Sequence, residues 1–178
     1  GPIGLVSAGR VGDVLVLQLA EPGICKWLAD QAIEAGRKAG RDMSGYQIMS
    51  AAPAYTGSIE EGRERTKWFP AMVGNHVADI VEKYGRDTDV VPSSLISYIE
   101  KRRGYDYSKH GQSDNPYLDF ITDDIVDGFA VLGEPQDHIA KLKTLENAGI
   151  TQFNIYLDNG DEEKIIADYG NTIIPAMT

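Results

Sequence analysis

The sequence contains a single cysteine, Cys25, and no apolar run approaching the roughly 20 residues that a membrane-spanning helix needs. The first absence rules out an internal disulfide. No signal-type apolar segment opens the chain either, so a reducing cytoplasm is the expected compartment. Basic residues are in the minority: 17 lysines and arginines stand against 27 aspartates and glutamates, for a formal net charge of −10. That balance offers nucleic acid and anionic membranes no long-range attraction, and neither is an expected partner. The glycine-rich Gly-x-Gly-x-x-Gly phosphate loop is missing, which argues against a nicotinamide-binding Rossmann unit. No spacing of His, Cys, Asp and Glu matches a metal site, so no metal is expected, and Cys25 has no base partner nearby in sequence. Solenoid repeats and low-complexity linkers are also absent, so residues 1–178 read as one domain.

What is present is an ordinary core-forming composition, 42% hydrophobic and 25% charged. Gly1-Pro2 opens a short helix over Ile3 to Val11, since proline suits a first helical turn that needs no donor. Val14-Leu15-Val16-Leu17 is a continuous apolar run of the kind found in strands buried on both faces. Pro22-Gly23 reads as a turn before a helix that buries Ile24, Trp27, Leu28, Gln31, Ala32 and Ala35 and stops at Gly40. A second strand over Tyr46–Ala52 is expected to end at Pro53. Ser58 with Glu61 fits a capping box for a long helical stretch running to Tyr84-Gly85, kinked or divided at Pro70.

A further helix is expected from Ser93 to about Arg103, and residues 104–118, with Tyr105, Tyr107, His110 and Asn115-Pro116, read as an ordered loop or insertion. Asp123 to Asp127 fits a helical turn, whereas Phe129-Ala130-Val131-Leu132 is ambiguous between strand and helix. Pro135 opens a helix with Ile139, Leu142 and Leu145 inward and Gly149 at its end; Phe153–Leu157 is a third strand, and a last helix spans roughly Asp161 to Tyr169. This α/β alternation predicts a parallel sheet with right-handed crossovers. Three strands cannot close a barrel, and a complete (β/α)₈ barrel takes about 250 residues. The expectation is therefore a partial barrel whose remainder lies elsewhere.

The order of several motifs points to a family. The run Gly1-Pro2-Ile3-Gly4-Leu5-Val6-Ser7-Ala8-Gly9-Arg10-Val11-Gly12-Asp13, followed by the Val14–Leu17 strand and Gln18, resembles the entry to the sixth barrel strand of luciferase-like oxidoreductases. Ala35-Gly36-Arg37 through Gly40-Arg41-Asp42 looks like that family's next helix ending, and Phe129–Pro135 with Leu142, Leu145 and Gly149–Phe153 is similar to its last helix-and-strand unit. The likeness spans nearly the whole chain but only the later part of the family's barrel. Trp68-Phe69-Pro70, Asn75–Asp79 and Tyr105-Asp106-Tyr107 resemble the deazaflavin-dependent branch. The resemblance implies an α/β fold, a partial (β/α)₈ TIM barrel of later strands and helices with a helical insertion. It also implies a flavin- or deazaflavin-dependent oxidoreductase, performing hydride transfer or monooxygenation on an unknown small substrate with FMN or coenzyme F-420. An alternative of another class is a non-catalytic half-barrel that assembles as a homo-oligomer or with a complementary amino-terminal fragment.

Candidate residues follow from both lines. A helix amino terminus carries unpaired N–H groups and partial positive charge, and the resemblance places a cofactor phosphate there, at Gly1, Pro2, Ile3 and Gly4. The bland reading is a merely solvated helix start. Gln18, where a strand reaches the barrel's carboxy-terminal face, either contacts a flavin edge or substrate carbonyl or ties down its own loop. Ala51, Ala52 and Pro53 either leave room for a planar ring or fill a tight barrel layer. Trp68, His76, Tyr107 and His110 are candidate substrate contacts, with structural packing as the alternative for each. No catalytic residue is assigned. His138 reads as solvated on a polar helix face, and the Arg63, Arg65 and Lys67 cluster reads as a solvated face with a lesser chance of meeting an anionic cofactor tail.

Overall fold

A computed structural model describes residues 1–74 and 121–178. His76, Tyr107, His110, the continuation of the long helix past residue 74, the helix expected over 93–103 and the loop over 104–118 lie outside the described residues. Helix α1 (Pro2–Val11) leads to β1 (Val14–Leu17), α2 (Pro22–Lys38) to β2 (Gln47–Thr56), and α3 (Ile59–Thr66) to a helical segment over residues 68–74. After the gap come α4 (Asp123–Phe129), β3 (Val131–Gly133), α5 (Pro135–Asn147) and β4 (Gln152–Tyr156). The chain finishes in α6 (Glu162–Asp168), a π-helical turn (Tyr169–Ile173) and α7 (Ile174–Met177).

All strand pairs are parallel, and β2 is the hub of the four-stranded sheet. It pairs β1 over Gln47–Ser50, β4 over Met49–Pro53 and β3 over Ala54–Thr56. Paired residues in register share a face, so the ladders sort the sheet into two surfaces. Leu15, Leu17, Ile48, Ser50, Ala52, Phe153 and Ile155 form one, and the core made with Ile24, Leu28, Leu142 and Leu145 covers it. Val14, Val16, Gln47, Met49, Ala51, Pro53, Asn154 and Tyr156 form the other. In a closed barrel the second surface is the interior.

Motif glycines explain how α1 lies so close to α2. A Cβ on Gly9 would sit 1.9 Å from the Ala32 carbonyl oxygen, and one on Gly36 would sit 2.8 Å from the Gly9 carbonyl oxygen. Both glycines come from the two Ala-Gly-Arg triplets, and Arg41 Nη1 donates to the Gly9 carbonyl at 2.6 Å across the same crossing. Only glycine permits this approach.

Several boundaries differ from expectation for local reasons. Pro22 and Gly23 are the first residues of α2 rather than a turn before it, because Glu21 is the N-cap, its carboxylate accepting from Ile24 N at 2.5 Å. Strand β2 passes through Pro53 and ends at Thr56. Ile48 exchanges hydrogen bonds with Thr151 on the β4 side, so alternation turns the backbone of Pro53 toward the β1 side, where β1 has already stopped opposite Ser50. No ladder donor is lost there. The long helical stretch breaks at Lys67, ahead of Pro70, which falls in the first turn of the following segment, where proline costs little. The ambiguous Phe129–Leu132 run splits: Phe129 closes α4, and Val131 opens β3. The carboxy-terminal helix runs on past Tyr169 through the π turn.

His138 is a correction of substance. It is fully buried, not solvated. Its Nε2 lies 3.0 Å from the Tyr55 carbonyl oxygen and Nδ1 lies 2.9 Å from the Tyr169 hydroxyl. A carbonyl only accepts, so Nε2 carries a proton; in the neutral ring that burial favours, Nδ1 accepts from the Tyr169 hydroxyl. His138, Leu142 and Leu145 stand at i, i+4 and i+7, so helical spacing already put the imidazole on the inward stripe.

Burial lowers the His138 pKa below its usual value, outweighing the hydrogen bonds and carboxylates that raise it. The unfolded chain therefore takes up a proton below about pH 6.5 that the folded chain resists, and stability falls as pH drops through that window. Urea melts between pH 7.5 and 5 should show this decline. His138→Gln should lose about 1–3 kcal/mol at pH 7.5 and flatten the slope below pH 6.5. An unchanged slope would remove His138 as its source.

Candidate functional site

The carboxy-terminal ends of β1, β2 and β4 gather the polar side chains of interest. Helix α1 runs back alongside β1, so its amino terminus comes to lie near the strand's end. Gly1 is the N-cap, its carbonyl accepts from Leu5 N at 3.0 Å, and no side chain caps the helix. The N–H groups of Ile3 and Gly4 are thereby left without helical partners, and no acidic residue occupies the first turn to repel an anion. A Cβ placed on Gly4 would meet nothing within 4 Å, so the helix start is uncrowded on that side.

A cavity of about 420 Å³ runs from this terminus along β1. Gly1, Gly4, Leu5 and Ala8 of α1 line it together with Val14 through Leu19, Leu28 and Val73. Both faces of β1 take part, so the cavity follows the strand's outer edge, where a preceding barrel strand would lie. Gly4 of the helix start and Gln18 both line it.

Gln18 is exposed and its Nε2 donates to the Tyr156 hydroxyl at 3.0 Å. These two residues come from strands on opposite sides of β2. Phe69, fully buried, packs edge-on against Tyr156 with ring centroids 5.6 Å apart. The helical segment over 68–74 therefore covers the inner sheet face at this end. Trp68 donates from Nε1 to Asn159 Oδ1 at 3.2 Å, and Asn159 Nδ2 donates to the Tyr156 carbonyl at 3.1 Å, which ties the loop after β4 to that segment.

Of the expected site residues, the structure brings Gly1, Gly4 and Gln18 onto one cavity. Ile3 shares the helix start without being among the lining residues, and its side chain is exposed. Trp68 is not among the lining residues, and its ring nitrogen is already bonded. Tyr156 was missed by sequence reading; its place opposite Pro53 follows from strand register, which a lone sequence does not reveal.

The Arg63 and Arg65 cluster is not a merely solvated face. Arg63 makes a bidentate pair with Asp127, at 2.8 and 2.6 Å, and reaches Asp123 at 3.2 Å; these carboxylates hold its pKa above the usual value. Arg65 donates to Glu61 and to the Asn159 carbonyl, and lies over the Tyr55 ring. Tyr55 is pushed up to about 12, by burial first and then by bonds to Glu61 and Asp161. Lys164 and Thr56 both bond Asp168, and hold its carboxyl below the usual range.

The family model for luciferase-like monooxygenases matches residues 1–152, and the chain belongs to that family. It is 25% identical over 179 residues to a 5,10-methylenetetrahydromethanopterin reductase of Methanopyrus kandleri, covering 98% of this chain and 48% of that protein. A protein of the same name from Archaeoglobus fulgidus is 24% identical, with 99% of this chain and 52% of that protein covered. The chain thus spans about half the length of the curated relatives it matches.

Among solved structures, the coenzyme F-420 dependent tetrahydromethanopterin reductase from Methanopyrus kandleri superposes with a TM-score of 0.68 at 19% identity, over 100% of this chain and 49% of that one. An F-420-dependent secondary alcohol dehydrogenase, solved with an F-420–acetone adduct, gives 0.62 at 17% identity, over 100% and 47%. A long-chain alkane monooxygenase gives 0.56 at 19% identity, over 98% and 38%. These likenesses show the fold: the chain is a sector of a TIM-type barrel. Among the described residues no helix is long and apolar enough to cross a membrane.

Cys25 stands apart from this chemistry. It is fully buried, its Sγ donates to the Leu19 carbonyl at 3.6 Å, and burial pushes the thiol up to about 12. A thiol reagent such as Ellman's reagent at pH 8 should leave the native chain unmodified and label it promptly in denaturant. Rapid labelling of the native chain would contradict this burial.

Proposed function

We propose that the whole protein is an oxidoreductase that works with a bound coenzyme F-420 or FMN, and that this chain supplies the phosphate end of the cofactor site and one amide beside its ring. The observation that carries the reading is that the uncapped start of α1 and Gln18, just past the carboxy-terminal end of β1, line one cavity. The residues fit such a group: free N–H donors without an acidic neighbour suit a phosphate, and open space at Gly4 admits it. When bound, the cofactor carries a hydride or activates oxygen at its central ring.

The chain's own residues would bind and orient. Ile3 and Gly4 donate backbone N–H groups to the phosphate, and Gln18 meets a polar edge of the ring. Phe69 and Val73, above the inner sheet face, keep water from that side. Trp68, His76, Tyr107 and His110 remain proposed substrate contacts, on the family's pattern. The printed name of the curated relatives, 5,10-methylenetetrahydromethanopterin reductase, supports hydride transfer.

Because the cavity runs along an edge of β1 that no other strand pairs among the described residues, this chain by itself should hold the cofactor weakly and turn over slowly or not at all. Fluorescence titration with FMN and with F-420 should give dissociation constants well above the micromolar range. Tight stoichiometric binding by the isolated monomer would refute the incompleteness of the site.

One observation favours a second reading, a non-catalytic half-barrel that assembles with itself or with a complementary amino-terminal fragment. Val16 is 55% exposed on β1, and Ile3 and Val11 are 84% and 81% exposed on α1, so apolar side chains stand open on both elements. Light scattering at increasing concentration tests it: self-assembly that Val16→Lys abolishes supports this reading, and a monomer throughout excludes the homo-oligomer.

A further inference from the structure

The amide that faces the cavity is itself held by a residue two strands away. Among the described residues, Gln18 makes one side-chain hydrogen bond, from Nε2 to the Tyr156 hydroxyl at 3.0 Å. Tyr156 is fixed at both ends: its ring rests edge-on against buried Phe69, and its carbonyl accepts from Asn159. Ala51 and Pro53 are the β2 residues that share this sheet face with Tyr156.

Fixing one amide N–H in this way decides what Gln18 offers a ligand. Its carbonyl oxygen and its second N–H remain, an acceptor beside a donor. The complementary partner is a group with an N–H beside a carbonyl.

We propose that Tyr156 is a positioning residue that turns the Gln18 amide to read the imide edge of a flavin or deazaflavin ring. The inference rests on the cofactor reading given above and adds to it the ring edge that is recognised and the residue that sets the recognition. Both cofactors carry the same pyrimidinedione edge, so the device serves either. Without the hydroxyl, the amide is free to rotate, and acceptor and donor no longer present themselves in fixed order. Tyr156→Phe keeps the ring contact with Phe69 and removes only the hydrogen bond, which makes it the conservative variant.

The test uses the ¹⁵N-labelled chain and NMR titration, which reads weak binding, with two probes: FMN and FMN methylated on the imide nitrogen. The wild type should bind FMN about fivefold more tightly than the methylated probe, the worth of roughly one hydrogen bond. Tyr156→Phe should bring that ratio close to one, as should Gln18→Ala. In the Gln18→Ala background, Tyr156→Phe should change the ratio no further.

Equal weakening of both probes by Tyr156→Phe, with the ratio kept, would make Tyr156 a structural support and overturn the proposal. So would a wild type that does not distinguish the probes. If FMN and F-420 both fail to perturb the resonances of Gly4 and Gln18, the cofactor reading itself fails and takes this inference with it.

Discussion

Strand β2 is the constraint on which the molecule is built. It hydrogen-bonds to all three other strands, and its ten residues are the common register that decides which side chains of β1, β3 and β4 share a face. A one-residue slip of any ladder would exchange the buried and open faces. The ladders also set the contact between Gln18 and Tyr156, which meet because β1 and β4 flank β2 in this register. Pro53 is tolerated at that place because β1 ends before reaching it.

The second organising contact is the crossing of α1 and α2. Gly9 and Gly36 admit a backbone approach that any side chain would block, and this holds α1 against the sheet with its amino terminus toward the strand ends. The glycines of a family motif thereby acquire a physical reason. They act at a distance from the proposed ligand, fixing the helix whose first turn would meet it.

Much of this was legible in the sequence. Continuous apolar runs and proline or glycine punctuation located β1, β2, α1, α2 and α5, and the α/β alternation indicated a parallel sheet. Gly1, Gly4 and Gln18 could be named because helix starts and strand ends are local features. What escaped notice depended on tertiary partners. The Arg63 pair with Asp127 joins residues far apart in sequence, and Tyr156 gains its role from register alone. His138 was different, since its spacing to Leu142 and Leu145 was visible; counting only apolar residues on the stripe hid it. The extension of β2 beyond Pro53 was hidden because the effect of proline depends on whether a neighbouring strand needs its N–H.

The described residues form a barrel sector with β2 at its centre, and among them the outer edges of β1 and β4 are unpaired. Amide hydrogen exchange on the native chain measures this directly. The amides of β2 should exchange slowest, while every second amide of β1 and β4, those turned away from β2, should exchange orders of magnitude faster. Uniform slow exchange along β1, on both of its sides, would mean that its edge is already covered and would contradict the account.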